Sequence, residues 1–133
     1  MAYTDIPVQL TSFRGIYSME GDPPVFTPKE LTMTHPDDVN GNDFTNTRGK
    51  CLLVINNNDV TNLTLTLDAT VEVSENPGEI PVQDPQVVVD AGDSNVIGPF
   101  SGNFEVGTTG KVGMTWAGIT DVNDVDIAII KLP

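Results

Sequence analysis

The stretch Thr61-Asn-Leu-Thr-Leu-Thr-Leu-Asp-Ala-Thr-Val-Glu-Val73 alternates apolar and polar residues almost without a break. Leu63, Leu65, Leu67, Ala69, Val71 and Val73 share one side, and Thr64, Thr66, Asp68, Thr70 and Glu72 share the other. Side chains alternate across a strand, so this segment reads as a half-buried strand with one solvated face. Lys111–Ala117 repeats the pattern with Val112, Met114 and Trp116 pointing inward. Cys51–Ile55 and Ile127–Ile130 are apolar on both faces and read as central strands, covered at least in part on both sides. Shorter strands are expected at Ile6–Leu10, Leu31–Thr34, Gln86–Asp90, Asn95–Ile97 and Asn103–Val106.

No dozen-residue window carries helical apolar spacing, and the 12 Gly and 10 Pro interrupt every candidate helix. Turn residues at Asn56–Asp59, Ala91–Ser94, Gly107–Gly110 and Asp121–Asp124 divide the strands. The expectation is an all-β chain: one antiparallel β-sandwich of about eight strands. Residues 44–133 form that sandwich. Residues 1–43, with Pro23, Pro24, Pro28 and Pro36, read as an extended N-terminal arm or long loop holding one or two short strands. A second long loop is expected from Glu75 to Pro85.

The 133 residues amount to one domain, and 38% of them are hydrophobic, so a single core can form. Nineteen acidic against six basic residues give a formal charge of −13. Such a surface repels phosphate and anionic lipid, so neither nucleic acid nor membrane is an expected partner. Four Lys against thirteen Asp also suits a salt-adapted, halophilic source. The N-terminus lacks the basic and apolar regions of a signal peptide, and no apolar run is long enough to span a bilayer, so a soluble protein made in a cytoplasm is expected.

Each catalytic or metal-binding pattern fails on counting. His35 is the only histidine and Cys51 the only cysteine, so a nucleophilic triad has no choice of base, and neither disulfide nor cysteine cluster can form. Carboxylates are numerous, but nothing in the sequence places two of them in a cleft, and the aromatics that line sugar sites are scarce. From Asp38, a calcium loop of the EF-hand type would need Gly at its sixth position and Glu at its twelfth; Asp43 and Gly49 stand there. Asp121–Asp126 fails at Val125. No catalytic residue, cofactor or metal ligand is therefore expected, with an irregular Ca²⁺ site the one alternative the acidic turns leave open. Asn62-Leu-Thr64 is a glycosylation sequon without a secretion signal.

Phe44-Thr-Asn-Thr-Arg-Gly-Lys-Cys-Leu-Leu-Val-Ile-Asn56 resembles the opening of a family of small head decoration (capsid cement) proteins of tailed viruses. Leu63–Leu67, Val87–Gly92 followed by Ile97-Gly-Pro-Phe100, Gly110–Trp116 and Val125–Leu132 are similar to later elements of that family, in the same order. The resemblance covers about residues 41–133 and implies a jelly-roll-like sandwich. It implies a protein on the capsid exterior that binds the assembled shell and bridges major capsid subunits, self-associating as a trimer. It does not cover the N-terminal arm, whose Tyr17, Pro23, Pro24, Val25 and Phe26 are the expected capsid contacts. Two other readings are a carbohydrate- or receptor-binding module of a viral spike and a head–tail joining or tail protein.

The charge carries its own prediction. Acidic groups crowded on one small domain repel each other less as salt screens them, so the melting temperature should rise from low to molar salt. A melting temperature that stays constant would show that the carboxylates do not crowd.

Overall fold

The computed structural model describes residues 3–10, 30–46, 49–68, 84–100, 104–105 and 110–132. These form nine strands: β1 (Thr4–Asp5), β2 (Val8–Leu10), β3 (Asn42–Thr45), β4 (Cys51–Asn57), β5 (Leu63–Asp68), β6 (Gln86–Val89), β7 (Ser94–Ile97), β8 (Lys111–Ala117) and β9 (Val125–Lys131). A 3-10 turn, Val122–Asp124, precedes β9, and no α-helix occurs among the described residues. One sheet has the order β1-β3-β8-β5-β6 and the other β2-β9-β4-β7. From β3 onward the chain passes back and forth between the sheets, and the order is jelly-roll-like.

The alternating segments pack as their pattern demands. In β5, Leu63, Leu65 and Leu67 are buried and Thr64, Thr66 and Asp68 lie on the outer face. The two doubly apolar segments are the central strands β4 and β9, which pair with each other from Cys51↔Lys131 to Asn57↔Val125. Their inward set, Leu53, Ile55, Ile127 and Ile129, is fully buried against β5 and β8. Phe44 packs against Phe100 with ring centroids 5.3 Å apart and planes tilted by 58°, and Phe104 meets Phe100 edge-on at 6.0 Å.

The sheets are mixed rather than purely antiparallel. β1 runs parallel to β3, and β2 runs parallel to β9. The reason lies at the edge of β9, which is shared. Thr34 takes the antiparallel place beside Ile127, and β2 takes a parallel place beside Ile129–Lys131. Of the expected strand at Leu31–Thr34, only Thr34 pairs. Of Asn103–Val106, Glu105 makes a lone bridge to Val112.

The first residues are thus built into both layers. β1 joins one sheet, Ile6 and Pro7 cross the sandwich, and β2 joins the other. Ile6 is 2% exposed, within the core, and its N–H donates to the Asp43 carbonyl at 2.8 Å. The boundary expected between Asp43 and Phe44 falls inside β3. The expected loop at Glu75–Pro85 lies outside the described residues except for Asp84 and Pro85.

Removing the Ile6 side chain leaves a cavity between the sheets. Ile6→Ala should destabilise the domain by about 2–5 kcal/mol, the range for a buried large-to-small change, as read by urea unfolding. A loss below about 0.5 kcal/mol, typical of a surface site, would show that this crossing is not part of the core.

Candidate functional site

A cluster of interacting ionisable groups lies on the outer face of the β1-β3-β8-β5-β6 sheet. Tyr3 lies flat there because Gly41 and Gly113 leave room for its ring: a Cβ on either would come within 2.8–3.0 Å of the ring carbons. Its hydroxyl donates to Asp68 Oδ2 at 3.2 Å. Burial, and then the Asp68 charge, push the Tyr3 hydroxyl above its ordinary value. Beside it, register pairing sets Asp5 next to Asp43, with Lys111 Nζ 3.8 Å from the one and 3.9 Å from the other. Burial pushes Asp43 up, Lys111 pulls it down, and the neighbouring Asp5 charge raises it again; the net shift is upward. This is a carboxyl pair on an open sheet face, with a tyrosine held in its neutral form. It clamps the first residues onto the sheet.

The acidic turns direct their oxygens at their own backbone. Asp37 Oδ1 accepts from the N–H groups of Val39 and Asn40, and Oδ2 accepts from the Thr4 hydroxyl. The Asn40 N–H, then Thr4, hold the Asp37 carboxyl at about 2. At the far end of the sandwich, Asp59 accepts from the N–H groups of Val60 and Thr120 and from the Thr61 hydroxyl. Burial raises this carboxyl, but these donors outweigh burial and the net shift is downward. Asp121 caps the 3-10 turn by accepting from the Asn123 N–H at 3.0 Å. Turn chemistry accounts for these residues. Among the described residues, no three His, Cys, Asp or Glu side chains converge to hold a metal ion.

His35 sits beside β9, with Nδ1 2.9 Å from the Val125 carbonyl and 3.3 Å from Asp126 Oδ1, so Nδ1 carries the proton that the carbonyl accepts. Cys51 is fully buried, and its Sγ lies 3.6 Å from the Thr45 carbonyl. The two are not in contact. Trp116 is 7% exposed, and its Nε1 donates to Asn42 Oδ1 at 2.8 Å; it is a core residue, as its alternation with Val112 and Met114 indicates, and offers no platform for a sugar. Asn62 is exposed, and its Oδ1 accepts from the Ala91 N–H.

A cleft of about 460 Å³ opens between β2 and the segment that bonds to it. Ile6, Pro7, Gln9, Thr32, Met33 and Thr34 line it, none of them titratable. Gln9 fixes its width: its amide donates to the Thr32 carbonyl at 2.6 Å and accepts from the Thr32 N–H at 2.8 Å. Tyr17, Pro23, Pro24, Val25 and Phe26, the expected contacts, lie outside the described residues. The described residues on either side of that stretch, Leu10 and Thr32–Thr34, are both held beside β9. The sequence pattern did not single out Gln9, Asn42 or Asp37, because a polar residue that bonds to backbone leaves no periodic signal.

Compared with protein-family models, curated proteins and solved structures, the chain matches none.

The shifts on Asp37 and Asp43 have opposite consequences. A carboxyl lowered by folding stabilises above its unfolded value of 3.8, and that contribution is lost as pH falls toward 2. A carboxyl raised by folding stabilises only below 3.8 and is unfavourable above its folded value. Asp37→Asn should therefore lower the melting temperature at pH 7 and flatten its fall between pH 4 and 2. Asp43→Asn should melt at or above the wild-type temperature at pH 7. Thermal melts across pH check both, and the same sign for the two variants at pH 7 would contradict the assignment.

Proposed function

We propose that this protein acts by binding rather than by catalysis, and that it docks on the outer surface of an assembled viral capsid, bridging major capsid subunits. The observation that carries the binding reading is the Gln9–Thr32 cleft. It is a preformed recess on a rigid β framework, lined by aliphatic, proline, amide, hydroxyl and thioether groups and by no titratable side chain. Such a lining suits contact with another protein surface and supplies no titratable acid or base.

The capsid reading rests on the ordered motifs from Phe44 to Leu132. Several fall where the backbone is most constrained, which supports their use as markers of a shared framework. Gly49 and Gly92 stand at φ +67° and +83° in the turns before β4 and β7. Gly98 lies against the β4 backbone, where a Cβ would come within 2.9 Å of the Cys51 carbonyl. Phe100 is 2% exposed in the core. A protein that binds only the assembled lattice stabilises it by mass action, and many weak copies add through multivalency. A charge of −13 favours the outside of a shell packed with DNA.

The test separates the framework from the contact segment. Deleting everything before residue 30 would remove β1, β2 and Ile6 and so unfold the core. Excising residues 11–29 and joining Leu10 to Glu30 through a short Gly-Ser linker keeps them. The excised protein should melt cooperatively and fail to saturate capsids, whereas saturation at full-length affinity would remove that segment from the interface. Counting copies per particle tests the capsid role itself: decoration requires hundreds, while about a dozen would assign the protein to a tail or joining ring.

A further inference from the structure

We propose that β7 is a strand-accepting edge and that its occupant is β7 of a second copy, paired antiparallel about Val96. The main-chain geometry sets this up. Asn57 N–H donates to the Asp93 carbonyl, in the same register that pairs Ile55 with Asn95 and Leu53 with Ile97. Hydrogen-bonded and non-bonded pairs alternate along an antiparallel ladder, so Ser94 and Val96 turn their N–H and C=O groups away from β4, toward the open edge. Among the described residues, no strand pairs on that side of β7.

Edge strands normally carry Lys, Pro or inward charges that discourage a further strand. β7 reads Ser-Asn-Val-Ile and has none, in a chain where 19% of residues are charged. Val96 is 63% exposed on it. The opposite edge of the same sheet is engaged differently: at β2, Gln9 clasps the Thr32 backbone.

The occupant follows from the register. Two-fold pairing about Val96 sets Asn95 opposite Ile97, Ser94 opposite Gly98 and Asp93 opposite Pro99. No carboxylate meets a carboxylate, so self-pairing along this edge escapes a like-charge penalty. The product is a continuous eight-stranded sheet through both copies. Its interface is small, so the pair is weak alone and gains from the local concentration that a lattice provides. The inference stands on β7, and its two-fold pair departs from the trimer that the resemblance implies.

Sedimentation equilibrium of the full chain up to millimolar concentration tests it. A monomer–dimer equilibrium is expected, tightening with salt as the net charges are screened. Val96→Pro removes an outward N–H that no bond among the described residues uses, and should weaken dimerisation about tenfold or more. Val88→Pro, at the corresponding position of β6, where Leu67 N–H→Pro85 O sets the same alternation, should leave the dimer intact. In the wild-type protein the Ser94 and Val96 amides should become protected from hydrogen exchange as concentration rises. A monomer throughout, a trimer, a dimer that Val96→Pro leaves intact, or Ser94 and Val96 amides that stay unprotected in the dimer would overturn the proposal.

Discussion

The crossing of residues 4–10 between the sheets holds this molecule together. Thr4 N–H reaches the Gly41 carbonyl and Ile6 N–H reaches Asp43, which ties the N-terminus to β3. Ile6 then fills the space between the layers, and β2 closes the edge of β9. A two-layer β-sandwich is weakest where its sheets diverge at an open side. Here one run of chain supplies a strand to each sheet and an aliphatic plug between them. The cleft and its Gln9–Thr32 clasp exist because β2 is in place.

Two buried amides extend the same logic to polar contacts. Asn42, 1% exposed, accepts from Trp116 Nε1 and the Asp37 N–H and donates to the Thr4 carbonyl, joining the core, the Asp37 turn and β1. Asn57, fully buried, donates to the carbonyls of Thr61, Val89 and Asp90 and accepts from the Asp59 N–H. Around it three turns meet: Asn58 N–H donates to the Asp124 carbonyl and Gly92 N–H to Asn57. A buried amide with its partners in place fixes a single geometry, and an apolar residue there would leave several backbone groups unpaired. The acidic turns are thereby tied to the strands beside them.

The regular half of the fold was legible in the sequence because hydrophobic alternation reports burial directly. β4, β5, β8 and β9 lie where Cys51–Ile55, Leu63–Leu67, Lys111–Ala117 and Ile127–Ile130 indicate, and Trp116 is core. β3 was invisible because its inward residue Asn42 is polar, so the strand breaks the pattern that would reveal it. β2 lies within the expected strand Ile6–Leu10, whereas the two-residue β1 was too short to show a pattern, and the parallel pairing of both is a long-range fact that no local window encodes. The candidate surfaces divided in the same way. The uncharged run of β7 can be read from composition, but the outward direction of Val96 needs the register with β4. The cleft depends on Gln9 meeting Thr32 across 23 residues of sequence.

Residues 4–10 lock the two sheets to each other. The central claim is that lock, and native-state hydrogen exchange tests it most directly. The Thr4 and Ile6 amides should exchange only through global unfolding, at the rate of the β4 and β9 core amides. Exchange orders of magnitude faster, as in a fraying terminus, would contradict the account.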